Sequence, residues 1–467
     1  MGRSTTLLSL VCALLGASSA YADPRPSVAV RATAISAALT APIVTESVRE
    51  LPAASAEEPP TAATVVFAGD LVPHAEVLDA VDAYGTFALL APVAPVLRAA
   101  DLALVNLETP VAASRPVSRE QMRFNVHPAF LDALTVAGVD AVSSANNHVF
   151  DQGVAGVDET VRALRSRHVT PVGAALAGED PLTPQVFPLA GSTLCVLAAT
   201  RLLNFDMEIP GPDRARVAIA RPEVPAEEER FLRAVREARA RCGAVMVSLH
   251  AGSEYQDRVA PVERAFFRRV AEAGADAVIG HHPHVPLRAE WIDAGGRLVP
   301  LYYSLGNLVS NQGANAEAAL LEDLRHPHVS LDARTRAGLL AVLRFERRGE
   351  RLAVASAGYL PLWTVNSHRA SPDAPAVHVS AGLMPRDGGG DRRMTRAWSR
   401  TLRDADAAML LPVEAVAGAA EASVRSESVL HARRAPEADP SPRERPRRLA
   451  VRRPRGTRRG RSSAVFR

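Results

Sequence analysis

The chain has 467 residues, 47% hydrophobic and 22% charged, which suits a globular protein of one large domain or two to three average ones. The formal net charge is +3, but Ser441–Arg467 carries 11 Arg against the single acid Glu444, so the rest of the chain is net acidic. Lys is absent and all 54 basic residues are Arg; with abundant Ala and Pro this reflects coding bias, and it excludes reading the Arg surplus as a nucleic-acid signature.

The N-terminus has the layout of a secretory signal peptide over residues 1–22. Arg3 supplies the positive charge, Leu7 to Leu15 the apolar stretch, and Ala20-Tyr21-Ala22 the small-residue cleavage site. An uncleaved N-terminal anchor is the alternative. Cys12 lies inside the apolar run and does not look like an acylation site, and no later stretch approaches the roughly 20 apolar residues of a membrane span. Localisation is therefore expected to be exported, in the periplasm or cell envelope. Residues 23–63, rich in Ala, Pro, Ser, Thr and Glu, read as a linker.

From Thr64 the texture changes to short β-branched runs alternating with segments of helical period. Strands are expected over Thr64–Ala68, Leu102–Asn106, Ala141–Ser144, Leu194–Ala199, Ala244–Leu249, Ala277–Ile279 and Leu298–Ser304. Helices are expected over Ala94–Ala100, Ala129–Ala137, Val154–Arg167, Ala226–Arg241 and Pro261–Ala273. Leu339–Phe345 and Leu352–Leu362 read as a later antiparallel pair. The repeated strand, loop and helix is the pattern of an α/β sheet with covered faces. One main domain is expected over residues 64–367. Residues 368–467, with an Arg-rich helix over Arg392–Met409, read as a low-complexity and mostly disordered tail. Cys195 and Cys242 lie in or beside apolar runs; they could pair in an oxidising compartment, but two buried thiols fit this setting better.

Polar residues gather just past the C-terminal ends of these strands, where open α/β sheets bind ligands. Gly69-Asp70 ends the first strand, as a carboxylate ligand or as a turn and helix cap. Asn106-Leu107-Glu108 ends the second, with the same two readings. Ala145-Asn146-Asn147-His148, followed by Asp151, is either a ligand set or an Asx-turn, and a turn has no need of the imidazole. His250 follows another apolar strand, with Glu254 close behind. Gly280-His281-His282-Pro283-His284 places three imidazoles within four positions in a chain of 13 His. In an extended segment His282 and His284 would point the same way. Asp, Glu, Asn and His, each ending a different strand, are the mixed oxygen and nitrogen ligands of a two-metal hydrolase, whose ions stand about 3.5–4 Å apart. A structural zinc site built on thiolates is excluded by the lack of Cys in these motifs.

These motifs, with Tyr255, Val285 and Ser304-Leu305-Gly306-Asn307, occur in order between Thr64 and Gln312 and resemble those of the CapA family of capsule and poly-γ-glutamate synthesis. The resemblance implies a calcineurin-like metallophosphoesterase fold, an αββα sandwich. It implies two divalent ions (Mn, Fe or Zn) held by Asp70, Glu108, Asn147, His250, His282 and His284, with Asn146 the alternative to Asn147. His148 matches the acid-site histidine, and His281 is carried as a second catalytic candidate or alternative ligand. Asn146, Asp151, Glu254 and Asn307 are expected behind the ligands or against substrate. The second ligand of the usual first phosphoesterase motif has no clear match, with His74 nearest. Ala251 stands where the family commonly has Trp, and Pro286-Leu287 replaces a Gln-containing stretch, which alters substrate shape more than metal binding.

The function implied is that of an exported, metal-dependent hydrolase or transferase of capsule or poly-γ-glutamate synthesis. Its substrate would be an anionic polymer or phosphoester, its partner a capsule export complex, and its Arg-rich tail would meet an anionic envelope surface; nucleic acid is not an expected partner. The alternatives are a general periplasmic metallophosphoesterase and a non-catalytic accessory subunit of an export complex.

Overall fold

Alternation of side chains sets the first strand, β1 (Ala62–Leu71). Val65 and Phe67 face one apolar layer, and Val66 and Ala68 face another. The computed structural model describes residues 61–120, 122–204, 209–312, 331–366 and 379–383, with isolated helical positions at 395, 396 and 399. The expected signal peptide and the linker up to residue 60 lie outside the described residues. So do nearly all of the helix expected over Arg392–Met409 and the rest of the tail.

The remaining strands are β2 (Leu102–Leu107), β3 (Ser118–Arg119), β4 (Phe124–Asn125), β5 (Ala141–Ser143), β6 (Thr170–Val172), β7 (Gln185–Leu189), β8 (Ser192–Thr200), β9 (Ala244–His250), β10 (Ala277–His281), β11 (Ala289–Asp293), β12 (Leu298–Tyr302), β13 (Asn307–Val309), β14 (Ala337–Arg348), β15 (Arg351–Asn366) and β16 (Val379–Leu383). The helices used below are α1 (Ala75–Tyr84), α2 (Ala94–Ala99), α3 (Asp132–Ala137), α4 (Gly153–Arg165), α5 (Pro225–Arg241) and α6 (Pro261–Ala273). One sheet runs β16-β15-β14-β1-β2-β5-β6, with β13 also paired to β1. The other runs β11-β12-β10-β9-β8-β7. The central neighbours β1, β2, β5 and β6 are parallel in the first sheet, as are β8, β9, β10 and β12 in the second.

Three apolar layers hold the molecule together. Phe67, Leu104 and Ala341 meet Val196, Met246, Ile279 and Tyr302 between the two sheets. On the far side of the first sheet, Val66, Val105 and Leu340 pack with Leu78, Leu97 and Leu134 of α1, α2 and α3. On the far side of the second, Val247, Val278 and Leu301 pack with Phe231 and Val235 of α5 and Phe266 and Val270 of α6. Helix, sheet, sheet, helix is the expected αββα sandwich. Each element buries one apolar face, which is the dominant favourable term in folding.

The strands and helices expected between Thr64 and Leu362 are all present, with small shifts of boundary. The segment expected as one helix over Ala129–Ala137 is a 3-10 turn, Pro128–Leu131, leading into α3. The helix α1 and the short strands β3, β4, β6, β7, β11 and β13 were not read from the sequence. β16 pairs antiparallel with β15 and carries the first sheet past the boundary expected at residue 367. The expectation that Cys195 and Cys242 stay unpaired is corrected. They form a disulfide, with Cα atoms 5.8 Å apart, that ties β8 to the chain just after α5. β8 and β9 are parallel neighbours, so the strand-like settings of both thiols were in fact adjacent in space.

The register of β1 changes near its end. Val65 to Ala68 pair with Leu102 to Val105 in step, and then Asp70 pairs with Asn106, so Gly69 is an extra residue in β1. In a regular strand with no register shift, Asp70 would share the face of Val66 and Ala68 and point at the helices; the bulge turns it to the crevice. A Cβ on Gly69 would lie 2.0 Å from the Gly306 carbonyl oxygen, so only glycine lets β1 and the chain before β13 approach this closely. Gly69→Ala is therefore expected to lower unfolding stability by about 1–3 kcal/mol, as overpacking does. Urea denaturation followed by far-UV circular dichroism would measure it, and an unchanged midpoint would contradict the bulge.

Candidate metal centre

The C-terminal ends of the parallel strands of both sheets bring the motifs to one crevice. Across the first sheet, Asn307, Asp70, Asn106 and Ser143 stand in register; across the second, Thr200, His250 and His281 do. Asp70, Asn106, Glu108, His250 and His281 are fully buried. A cluster of charge and amide groups at this depth is costly unless each polar atom finds a partner.

Asp70 sits at the hub. Its carboxylate accepts from Asn106 Nδ2 at 2.8 Å, His281 Nδ1 at 3.0 Å and the His282 backbone N–H at 3.2 Å. His284 Nδ1 lies 3.3 Å away. Glu108 Oε1 lies 3.5 Å from His250 Nε2 and 3.6 Å from His284 Nε2. His250 Nε2 also faces Asn147 Oδ1 at 2.8 Å, which places the Asn147 amide, and not that of Asn146, at the centre. Asn146 donates from Nδ2 to the Leu107 carbonyl at 2.8 Å and to Asn106 Oδ1 at 3.4 Å, fixing the chain that carries Glu108. Asn307 holds His284: its Oδ1 lies 3.0 Å from His284 Nδ1 and its Nδ2 donates to the His284 carbonyl at 3.2 Å.

Three sets of three side chains bring ligand atoms within 4.8 Å of one another: Asp70, Glu108 and His284; Glu108, His250 and His282; and Glu254, His282 and His284. Glu108 belongs to the first two sets, so its carboxylate lies between two potential ion positions. Of the six expected ligands, Asp70, Glu108, His250, His282 and His284 fall in these sets, and Asn147 adjoins them. Glu254, expected behind the ligands or against substrate, joins the third set itself. His281 stands behind Asp70, with its ring 5.0 Å from that of Phe67. His74 does not enter any of these sets; its Nδ1 accepts from the Asn311 backbone N–H at 3.3 Å.

His148 lies beside this cluster. Its Nδ1 is 2.7 Å from Asp151 Oδ2, and Asp151 Oδ2 also accepts from the Phe124 N–H at 2.6 Å. Asn204, which no sequence pattern marked, joins the two parts. It accepts from Asn147 Nδ2 at 3.2 Å and places its own Nδ2 at 3.3 Å from both ring nitrogens of His148. Asn106 and Phe124 were likewise missed as site residues. Asn106 sits in a quoted motif, and strand parity with Leu102 and Leu104 gave the only signal that it faces the crevice.

The expectation that His282 and His284 converge because the segment is extended is corrected. β10 ends at His281, and His282 and His284 have φ of 96° and 55°. Their rings are 5.8 Å apart because both residues adopt the left-handed region around Pro283. Such conformations are costly for residues other than glycine and cluster at functional sites.

The electrostatics suit a cation. Burial would raise the pKa of Asp70, but the hydrogen bonds of His281 and His284 hold it well below the usual carboxylate range. Burial pushes Glu108 well up. Burial, with His282 alongside, pushes His250 well down, and burial with His284 opposite brings His282 to about 3. Both imidazoles are thus neutral, the form that ligates metals. Burial also disfavours a charged His284, yet Glu108 and Asp70 raise it to about 9. In the bare protein a proton on His284 balances the carboxylates. Glu108 Oε1 and His282 Nδ1 are buried without a hydrogen-bond partner. Orphaned donor atoms around a paired carboxylate and imidazole set are what a bound divalent ion would satisfy, so the residues fit one.

The model of the family described as "Bacterial capsule synthesis protein PGA_cap" matches residues 64–312, more than half of the chain. The chain belongs to this family. The matched segment spans all the motifs of the crevice from Asp70 to Asn307, as the resemblance implied. The chain is 28% identical over 250 residues to "PGA biosynthesis protein CapA" of Bacillus subtilis (strain 168), covering 53% of this chain and 63% of that protein. It is 28% identical over 269 residues to "Probable polyglutamine synthesis accessory protein Rv0574c" of Mycobacterium tuberculosis (strain ATCC 25618 / H37Rv), covering 56% and 69%. The chain therefore spans less than two thirds of the Bacillus relative. Among solved structures, the calcineurin-like phosphoesterase YfkN from Bacillus subtilis aligns with a TM-score of 0.34 and 14% identity over 74% of this chain and 98% of that one.

Metal binding should release a proton. His284 is protonated below about pH 9, so its proton competes with the ion. Apparent affinity for a divalent ion is expected to rise about tenfold per pH unit between pH 7 and 9 for each proton displaced, and to level off above. Calorimetric titration in buffers of different protonation enthalpy would read the proton count, expected to be about one or more at pH 7. A pH-independent affinity would contradict the assignment.

Proposed function

We propose that this protein is an exported, two-metal hydrolase or transferase that acts on an anionic polymer of capsule or poly-γ-glutamate synthesis, or on the linkage that anchors it. The observation that carries the reading is the pair of ligand sets that share Glu108, with the His148–Asp151 pair next to them. Asp70, Glu108, Asn147, His250, His282 and His284 would hold the ions, with Glu254 at the open side, where its side chain is 40% exposed. Bound divalent ions would polarise the scissile group and neutralise charge that develops on it.

The side chains of the chain itself do the rest. Asp151 fixes His148 through Nδ1 and leaves Nε2 to carry the proton that a leaving group needs. Asn204 keeps that ring beside Asn147. His281 orients the Asp70 carboxylate from behind and does not face the open side, which favours a positioning role for it over a catalytic one.

Export is supported by the charged, apolar and small-residue order of residues 1–22 and by the Cys195–Cys242 disulfide, which persists in oxidising compartments. A second reading, a non-catalytic accessory subunit of a polymer export complex, is favoured by the mycobacterial relative being named an accessory protein.

Metal analysis of the purified chain, with assays on p-nitrophenyl phosphates and on poly-γ-glutamate, separates these readings. The expected outcome is close to two divalent ions per chain and metal-dependent cleavage of the polymer. His148→Ala should lower the rate by about 10²–10⁴-fold while metal content stays the same. Phosphate ester cleavage alone would point to a general phosphoesterase, and bound metal without turnover to the accessory role.

A further inference from the structure

Beside the crevice lies a second cavity, of about 280 Å³, at the low end of the roughly 300–1,000 Å³ of small-ligand pockets. It shares a loop with the metal centre. His250 and Glu254 flank Ala251, Gly252 and Ser253, and those three residues line the cavity. The loop is pinned to the ligand-bearing chain by two hydrogen bonds, from Ala251 N–H to the His281 carbonyl at 3.0 Å and from Tyr255 N–H to the Pro283 carbonyl at 2.9 Å. The wall opposite is the start of α6, with Val259, Ala260 and Glu263.

The lining has a defined chemistry. Ala251, Phe267, Leu287 and Tyr303 supply buried apolar surface. Ala251, with no more than a methyl group, leaves room on the loop side of the cavity. Glu263 is the only acid among the described residues that line the cavity and is 5% exposed. Arg201 engages its Oε1, while its Oε2 is buried with no hydrogen-bond partner. A buried carboxylate oxygen left without a donor is rare in native proteins and calls for one from outside. At the rim stands Arg258, exposed and without an ion pair among the described residues, next to the N-terminal end of α6. An acceptor within and a cation at the mouth are the complement of an ammonium group with a neighbouring carboxylate.

We propose that this cavity binds the free amino end of an amino-acid polymer. Glu263 Oε2 takes the terminal ammonium, Arg258 takes the carboxylate on the same residue, and the apolar wall takes its methylenes. The proposal rests on the reading of the metal centre as acting on such a polymer, and it adds that the chain is held by its amino terminus next to the ions. Its ligand is a residue that carries both groups on one carbon, as the first residue of a γ-linked glutamate chain does.

The test is calorimetric binding of tri-γ-glutamate to the purified full chain, compared with the N-acetylated trimer and with a trimer whose first α-carboxylate is an amide. The expected result is tenfold or weaker binding for each blocked trimer. Glu263→Gln should abolish the penalty for acetylation. Glu263 also pairs with Arg201, so Arg258→Ala, at an exposed site, serves as the variant that keeps the fold, and it should abolish the penalty for the amide. Equal binding of all three trimers, or an unchanged preference in both variants, would overturn the proposal. Because binding is read without turnover, a chain that cleaves polymer but ignores N-acetylation would refute this site and leave the hydrolase reading standing. Discrimination without cleavage would do the reverse.

Discussion

The Asp70 carboxylate is the point on which the two sheets converge. It belongs to the first sheet by its strand, and its hydrogen bonds reach Asn106 on the neighbouring strand, His281 at the end of β10 in the second sheet, and His282 just after it. A buried carboxylate without these donors would be strongly disfavoured, so closing the sandwich and assembling the site are one event. Everything else in the crevice takes its place from that bond set. His284 is held between Asp70 and Asn307, Glu108 is reached through His284, and His250 lies beyond Glu108.

The cluster also shows how a site can be rigid at its back and open at its front. Asp70, Glu108 and His250 are fully buried and belong to strands or to the residues directly after them. Glu254, Tyr255 and the loop between His250 and Glu254 are more exposed and are tied down by only a few backbone bonds. Metal affinity therefore depends on the sandwich core, and the shape offered to a ligand depends on a short loop. Ala251 stands on that loop, so a change there can alter what enters without disturbing what holds the ions.

Much of this was legible in the sequence because polar residues at strand ends break an otherwise apolar pattern. The runs before Asp70, Glu108, Asn146, His250 and His281 could be seen as strands, and the residues after them could be seen as a shared edge. What could not be read was conformation. Gly69 looked like a turn residue, since a bulge leaves no mark on alternation other than one glycine. The His282-Pro283-His284 segment looked extended, since convergence of the two rings follows from either backbone. Asn204 lies in a loop with no period, and its role depends on two residues more than fifty positions away. The disulfide needed the parallel pairing of β8 and β9, which spacing alone does not specify.

The place of β1 in its sheet has a consequence for how the chain comes into being. β1 is hydrogen-bonded from Ala62 to Ala68 along β14, which begins only at Ala337. A ribosome adding about 5–20 residues per second makes β14 roughly 15–50 s after β1. Through that interval β1 has one flank covered by β2 and the other bare, and an uncovered strand edge invites pairing with other chains. The bare edge lies at the start of the described part of the chain, and fragments that stop short of β14 are expected to be sticky regardless of how complete their ligand set is.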